Sequence, residues 1–228
     1  MQNDSQKVDV IIPIFNQVER VKETLATLLE TTPLLDRLIL VDDCSTDIET
    51  VDYLLDFADY HPNIDLILHG VNRRYSASVN HGVGLIQSRY FAILNSDLRL
   101  TPGWLESMLH VHTSVPDTAV VGCVQESPTG QLLHPGFFGH DGWAGLSECP
   151  YAVDWVTGCV WLVDRRAWDR LGPLRCDVDL VTGVDYRHFE SDREWCARAR
   201  ANGYRVMMSP HKVIHYWRSS TPGNWTHT

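Results

Sequence analysis

The sequence predicts an α/β fold with a doubly wound, mostly parallel sheet. Two observations predict it: short apolar runs rich in β-branched residues alternate strictly with segments of helical periodicity, and the connections between them are short. With 228 residues, 44% of them apolar, the chain is long enough for one larger α/β domain with a sizeable core. We therefore predict a single domain over residues 1–228.

The first half of the chain supplies the alternating elements. The run Val8–Ile14 has the composition of a strand buried on both faces, and apolar residues at helical spacing then predict a helix over residues 17–30. Further strands are predicted at residues 38–41, 64–68, 90–94 and 119–124. Further helices are predicted at residues 48–59, 76–87 and 103–112.

The pattern changes after about residue 125. A stretch rich in glycine, histidine and aromatic residues has no helical period, so we expect loops and a hairpin over the edge of the sheet. Regular structure then returns, with strands predicted at residues 153–163, 204–208 and 212–215, and helices at residues 165–170 and 192–201. The change divides the predicted domain into two functional halves, residues 8–124 and 125–217.

Polar residues follow each of the first four strands. They are Asn16, then Asp42, Asp43, Ser45 and Asp47, then Asn72 and Arg73, and finally Asn95, Ser96 and Asp97. Ligands of such sheets bind at the carboxyl ends of the strands, so we expect these side chains at one common edge. Because Asn, Ser and Asp also form turns and cap helices, a purely local role remains an alternative for each of them.

Charge and cysteine usage exclude several classes. The net charge of −10, with no cluster of Lys or Arg to offset it, disfavours a nucleic-acid partner. The six cysteines form no C-x-x-C pair, so zinc is unsupported, and we interpret them as reduced, mostly buried thiols. The polar residues 1–7 do not resemble a signal peptide, and no apolar run approaches the ~20 residues of a transmembrane segment. We expect a cytoplasmic protein, with peripheral attachment to the inner face of the membrane as an alternative.

The common nucleotide-binding loops are absent. The first strand is followed by FNQVER, which has neither the G-x-G-x-x-G of a dinucleotide-binding fold nor a P-loop. A phosphorylated ligand at this acidic edge would therefore need a divalent cation held by carboxylates, and Asp97 is placed to hold one.

Six segments carry a resemblance to a known family. They are VIIPIFNQVERVKETLATLL, LILVDDCSTD, NRRYSASVNHGV, FAILNSDLRLTPGWLESM, DWVTGCVWLVDRRAWDRLGPL and SDREWCARARANGYRVMMSPHKVIHYW. Together they resemble family 2 of the GT-A glycosyltransferases, especially its rhamnosyltransferase-like bacterial members, over residues 8–217. Three positions depart from the family pattern: Arg74 replaces a usual glycine, Asn95 the first acid of the D-x-D motif, and Ser191 a frequent glutamate.

The resemblance implies a GT-A fold, with a small acceptor-side subregion in the C-terminal half. It also implies a metal-dependent inverting transfer from a nucleotide diphosphate sugar to a hydroxyl group of a glycan, lipid-linked or protein acceptor. Asp97 and His215 would bind Mn²⁺ or Mg²⁺, and Asp192 would be the general base. The implied contacts of the nucleotide sugar are Pro13, Phe15, Asn16, Asp42, Asp43, Arg73, Asn80, Asn95 and Ser96.

Alternatives remain open at several positions. Asp192 and Glu194 lie two residues apart, so on a helix they point about 200° apart and only one can face an acceptor; His215 would ordinarily be a surface residue. The loop residues that could stack on a sugar, or simply pack, are His134, His140, Asp141 and Trp143. Trp155 and Trp161 are expected in the core.

Asn95 and Ser191 motivate a second function, a non-catalytic nucleotide-sugar or carbohydrate-binding module. A sugar-phosphate nucleotidyltransferase is a third, but it would need a glycine-rich, basic first loop.

Overall fold

The computed structural model describes residues 7–140, 142–187 and 190–216. Its strands are β1 (Val8–Ile14), β2 (Leu35–Asp42), β3 (Ile64–Leu68), β4 (Tyr90–Leu94), β5 (Leu98–Arg99), β6 (Thr118–Glu126), β7 (Leu132–His134), β8 (Phe137–Phe138), β9 (Gly142–Trp143), β10 (Tyr151–Ala152), β11 (Val160–Asp164) and β12 (Arg205–His215). Its helices are α1 (Val18–Thr31), α2 (Ile48–Tyr60), α3 (Arg74–Val83), α4 (Trp104–Ser114), α5 (Arg165–Leu171) and α6 (Ser191–Ala201).

One mixed sheet organises these elements. Its strands lie in the order β10-β12-β6-β11-β4-β1-β2-β3, with β5 beside β12 and β7 beside β6. β1 pairs in parallel with β2 and β4, and β2 pairs in parallel with β3. The prediction of a mostly parallel α/β sheet is thereby confirmed, and the carboxyl ends of these four strands share one edge, which we call the rim.

The core lies on both faces of the sheet. Every residue of β1 is buried because helices cover it from both sides, with α1 against one face and α3 against the other. Gly82 of α3 lies so close to the sheet that an added Cβ would stand 2.6 Å from the Cγ2 atom of Ile11. Trp161 is fully buried in this core, as expected, whereas Trp155 is only partly buried and stacks on Phe137.

The antiparallel strands of the second half differ from the predictions. β11 covers only the end of the strand predicted at residues 153–163, because the chain before Val160 leaves the sheet to contact α6. The two strands predicted at 204–208 and 212–215 form one strand, β12, with an irregularity between Ser209 and Lys212. Pro210 lacks an N–H group, and the irregularity accommodates it without ending the strand.

Two further expectations are corrected. Helix α3 begins at Arg74 and ends at Val83, earlier at both ends than predicted, with Arg73 and Gly84 as its capping residues. All six cysteines are free thiols, but only Cys123 and Cys196 are buried, so the expectation of mostly buried thiols is wrong. In the described residues, no helix has the length and apolar character needed to span a membrane.

Candidate functional site

The loop after β2 contributes two buried aspartates to the rim. Asp42 is only 3% exposed; its Oδ2 atom accepts a hydrogen bond from Ser45 N at 3.1 Å, and its Oδ1 atom has no hydrogen-bond partner among the described residues. Asp43 accepts bonds from the backbone nitrogens of Arg73 and Arg74, at 2.7 and 2.8 Å. Both aspartates therefore order loop backbone, as the turn-forming alternative requires, but Asp42 keeps one buried oxygen that this role does not use.

Asn16 joins the first two loops of the rim. Its Oδ1 atom accepts hydrogen bonds from the backbone nitrogens of Thr46 and Asp47, and its own backbone nitrogen donates to the Ser45 hydroxyl. Pro13 lies buried in β1 beside Val41, and the half-buried Phe15 follows the same strand. The first two loops are thus held together by Asn16.

Asn80 has a different environment from the one that the sequence predicted. Its side-chain amide donates to Leu174 O at 2.9 Å and accepts from Leu174 N at 3.0 Å. Both ends of the amide are thereby engaged in fixing α3 to the segment after α5. The side chain positions an element, and its hydrogen bonds do not point to a ligand.

Asp97 and His215 form a buried pair at the rim. Asp97 follows β4, and His215 ends β12; they are 5% and 2% exposed, and Asp97 Oδ1 lies 3.3 Å from His215 Nε2. Burial lowers the pKa of His215, but the neighbouring Cys159 and the Asp97 carboxylate outweigh it and raise the pKa to about 10. Asp97 is not a helix cap, since α4 begins after Gly103, and His215 is not a surface residue.

The residues before Asp97 connect it to the chain before β11. The backbone nitrogen of Asn95 donates to Cys159 O at 2.8 Å, and β4 pairs antiparallel with β11, with Leu94 opposite Val160. Asn95 and Ser96 are both half-buried at this junction. Cys159 therefore lies between the end of β4 and His215.

Asp192 lies at the start of α6, on the other side of the chain segment that precedes β11. Its Oδ2 atom accepts from Gly158 N at 3.0 Å, and its Oδ1 atom accepts from Arg193 N at 2.7 Å. Burial raises the pKa of Asp192, and Glu190 adds to the rise, against the lowering effect of the two backbone hydrogen bonds. A half-buried carboxylate with a raised pKa has the properties of a general base.

Gly158 and Tyr75 complete this corner of the site, and the sequence analysis missed both. The Tyr75 hydroxyl group donates a hydrogen bond to Gly158 O at 2.7 Å. A Cβ atom on Gly158 would lie 2.9 Å from the Tyr75 hydroxyl oxygen and 3.5 Å from the Cβ of Asp192, so a larger residue would displace the Tyr75 hydroxyl group. The motif T-G-C in the acceptor-side segment was the available signal, but nothing in it indicates contacts with residues 75 and 192.

The neighbours of Asp192 explain two sequence features. Glu194 pairs with Arg198 one turn later on the helix, at 2.7 Å, and so faces away from Gly158. Ser191, which replaces the frequent glutamate, is buried and accepts a hydrogen bond from the Ser76 hydroxyl at 2.9 Å. That contact joins the start of α3 to the start of α6, and therefore joins the two halves of the chain.

The predicted sugar-stacking residues are dispersed. His134 lies inside, with its ring centroid 6.3 Å from that of His215, and burial and His215 lower its pKa to about 4. Trp143 is 55% exposed on the β8–β9 pair, and His140, three residues earlier, is also exposed. Asp141 lies outside the described residues. Within this set, His134 contacts the Asp97–His215 pair, through its ring contact with His215.

Comparison with known proteins identifies the family of this site. Residues 9–135, just over half of the chain, match the family described as Glycosyl transferase family 2. The chain belongs to this family. It is 23% identical, over 235 aligned residues, to the protein named Uncharacterized glycosyltransferase YibD of Escherichia coli (strain K12); the alignment covers 97% of this chain and 64% of YibD.

Solved structures share the fold of this family 2 chain. A mannosyltransferase from Pyrobaculum calidifontis, PcManGT, in complex with GDP-Man and Mn²⁺, has a TM-score of 0.67 at 19% identity, covering 92% of this chain and 56% of that one. GalNAc-T7 with UDP, GalNAc and Mn²⁺ has a TM-score of 0.74 at 14% identity, covering 97% and 46%. These neighbours confirm the GT-A fold. The chain spans less than two thirds of the length of each of these proteins.

Proposed function

We propose that the chain is a divalent-metal-dependent inverting glycosyltransferase. It would transfer a sugar from a nucleotide diphosphate sugar to a hydroxyl group of a glycan, lipid-linked or protein acceptor. The observation that carries the proposal is the segment Gly158–Cys159, which touches the Asp192 carboxylate on one side and His215 of the Asp97–His215 pair on the other. A base beside a cation-binding pair suits the displacement of a diphosphate by a hydroxyl group.

The Asp97–His215 pair fits a divalent cation. One carboxylate oxygen and one imidazole nitrogen are buried and lie 3.3 Å apart. The raised pKa of His215 keeps a proton on the ring, and a bound cation would displace that proton. No group of three or more acidic, cysteine or histidine side chains is arranged to hold a metal within the described parts of the chain, so the protein would offer two ligands. A bound Mn²⁺ or Mg²⁺ would stabilise the charge of the leaving diphosphate. The solved complexes of PcManGT and GalNAc-T7 with Mn²⁺ support this choice.

The rim around β1 and β2 would bind the nucleotide. The Oδ1 atom of Asp42 is an unused buried acceptor, which suits an N–H group of a base, and Asp43 would shape the same pocket. The remaining donor contacts that we propose are Pro13, Phe15, Asn16, Arg73, Asn95 and Ser96. Asn80 is proposed to act only by positioning α3, because its amide is bonded to Leu174.

Asp192 would act on the acceptor. As the acceptor oxygen forms its bond to the sugar carbon, the bond from that carbon to the diphosphate oxygen breaks, and the hydroxyl proton passes to the Asp192 carboxylate. The raised pKa makes the Asp192 carboxylate a stronger base than an ordinary aspartate. Attack from the face opposite the leaving group inverts the sugar carbon.

The decisive experiment compares Asp192→Asn with Glu194→Gln. We expect Asp192→Asn to lower Mn²⁺-dependent turnover of nucleotide sugars by ~10²–10⁴, the usual contribution of a positioned base, while the affinity for the donor is kept. Glu194→Gln should change turnover little, because Glu194 pairs with Arg198. Transfer or hydrolysis rates and donor affinities are measured side by side, with thermal unfolding as a check of folding. If Glu194→Gln is inactive and Asp192→Asn is active, the assignment of Asp192 as the base is wrong.

The metal assignment has its own test. Asp97→Ala should abolish the Mn²⁺-dependent part of the affinity for a nucleoside diphosphate. Asp42→Ala should weaken binding by about 1–3 kcal/mol with or without Mn²⁺, because it removes a buried hydrogen-bond acceptor. Calorimetry with Mn²⁺ and with EDTA measures both variants. If Asp97→Ala binds as the unaltered chain does in Mn²⁺, Asp97 is not a ligand.

A second candidate is a nucleotide-sugar or carbohydrate-binding module without turnover. The observation that favours it is the small ligand set, since Asn95 supplies no charge and only two protein ligands lie together in the described residues. Binding of nucleoside diphosphates without any turnover by the unaltered chain would select it.

With either function, we propose one domain with two functional halves. The sheet contains strands from before and after residues 124–125, and the Ser76–Ser191 contact joins the two halves.

A further inference from the structure

A chain of hydrogen bonds leads from Asp43 away from the rim. Asp43 Oδ1 lies 2.9 Å from His69 Nδ1, and His69 Nε2 lies 2.9 Å from His81 Nδ1. Asp43 and His69 are 5% and 7% exposed, whereas His81 is on the exposed surface of α3. The two imidazole rings are nearly coplanar, with 8° between their planes. None of the family motifs noted above includes His69 or assigns a role to His81.

The positions of the protons in this chain follow from its chemistry. An ionised carboxylate only accepts hydrogen bonds, so His69 Nδ1 must carry a proton and donate a hydrogen bond to Asp43. In a neutral His69, Nε2 is then the acceptor, and His81 Nδ1 must donate to it. Burial lowers the pKa of His81, and the positive charge of Arg73 lowers it further, in agreement with a neutral ring. Asp43 thus fixes the tautomer of His69, and His69 fixes the tautomer of His81.

The same carboxylate orders the loop after β3. Besides His69, Asp43 accepts from the backbone nitrogens of Arg73 and Arg74. Arg74 has a φ of 72°, in the left-handed region that a residue with a side chain adopts at a cost. The orientation of the Asp43 carboxylate therefore decides where Arg73 lies, and Arg73 is a proposed donor contact.

We propose that His69 is a positioning residue of the nucleotide pocket, and that His81 supports it: together they hold the Asp43 carboxylate in the orientation that fixes Arg73 and Arg74. This role rests on the proposed function, since it acts on the donor site. His69 contributes the direct hydrogen bond. His81 contributes less, because water can replace an exposed partner.

The test uses two substitutions at one position. The amide nitrogen of an asparagine is attached to Cγ, as Nδ1 of histidine is, so His69→Asn keeps a donor towards Asp43, and His69→Leu keeps only volume. We expect His69→Leu to weaken nucleoside diphosphate binding about tenfold to a hundredfold, the usual effect of losing a hydrogen bond to a charged group. His69→Asn should retain most of the affinity, and His81→Ala should lose less than His69→Leu. Turnover at saturating donor should remain largely unchanged in all three.

A matched control separates positioning from stability. His112 is also buried, and its Nε2 atom bonds Leu162 O on the other face of the sheet, so His112→Gln should destabilise the chain without changing nucleotide affinity. ¹⁵N NMR of the unaltered, ligand-free chain should report His69 and His81 as Nδ1–H tautomers. An Nε2–H tautomer at His69, or equal affinities of His69→Leu and the unaltered chain, would overturn the proposal. An unaltered chain that binds no nucleoside diphosphate would overturn the proposed function first and this role with it.

Discussion

At the scale of single residues, backbone strain is concentrated around the candidate site. Six non-glycine residues in the described parts of the chain have a positive φ. Five of them belong to the rim loops or to the start of α6, namely Asn16, Gln17, Cys44, Arg74 and Glu190. Such conformations persist only where surrounding contacts hold them, and they are common at functional sites. The strain therefore agrees with the location of the site that the side chains indicate.

Arg74 allows the strain to be measured. Glycine usually stands at this position in the family that the sequence resembles, and the left-handed backbone explains why. Arg74→Gly and Arg74→Ala both remove the side chain and differ only in the Cβ atom. We expect Arg74→Gly to be more stable than Arg74→Ala by about 1 kcal/mol, because only glycine adopts this φ without steric cost.

Urea unfolding of the two Arg74 variants gives the difference directly. Gly130, which also has a positive φ and has open space around it, provides a matched control: Gly130→Ala should cost a similar amount. An alanine variant as stable as the glycine variant at residue 74 would mean that the loop relaxes to another conformation. Asp43 would then not fix the backbone there.

At the scale of elements, the sequence predicts the parallel half of the sheet well. Strands β1, β3 and β4 have the predicted bounds, because each is a short, mainly apolar run between polar segments and therefore has a local signature. The short strands β8, β9 and β10 have two residues each, which is too short for any period to appear. Their existence depends on partners distant in sequence.

The order of the strands is also a long-range property. β11 lies between β4 and β6 and pairs antiparallel with both, although neither is its neighbour in the chain. This insertion brings Cys159 beside Asn95 and the preceding Gly158 beside Asp192. The resemblance to the family motifs indicated the individual residues Asp97, Asp192 and His215. It could not indicate the contacts between them, nor the Asp43–His69–His81 chain, because these join separate elements.

At the scale of the whole molecule, buried histidines link stability to pH. Burial lowers the pKa of His112 to about 4, against the raising effects of the Leu162 carbonyl and of Asp164. Arg89 is the cation that faces it and lowers the pKa further. The unfolded chain has no such environment, so its histidines titrate near pH ~6.5. Between pH ~6.5 and 4 the unfolded state therefore binds a proton that folded His112 does not bind.

The sign of the effect follows from this difference. Stability rises with pH wherever the unfolded state binds more protons, so His112 must reduce stability as the pH falls below ~6.5, and its effect ends near its folded pKa of about 4. A separation of ~1.5 pH units between pH 6.5 and 5 corresponds to about 2 kcal/mol. We expect the unaltered chain to lose about that much more stability between pH 7 and pH 5 than His112→Gln does. Urea unfolding at the two pH values measures the free energy of unfolding of both chains.

His112→Gln should be less stable than the unaltered chain at pH 7, where the native hydrogen bond is intact, and the difference in stability should narrow at pH 5. Parallel pH profiles for the two chains would mean that folded His112 takes up a proton as readily as it does in the unfolded chain, and that its buried position does not hold it neutral.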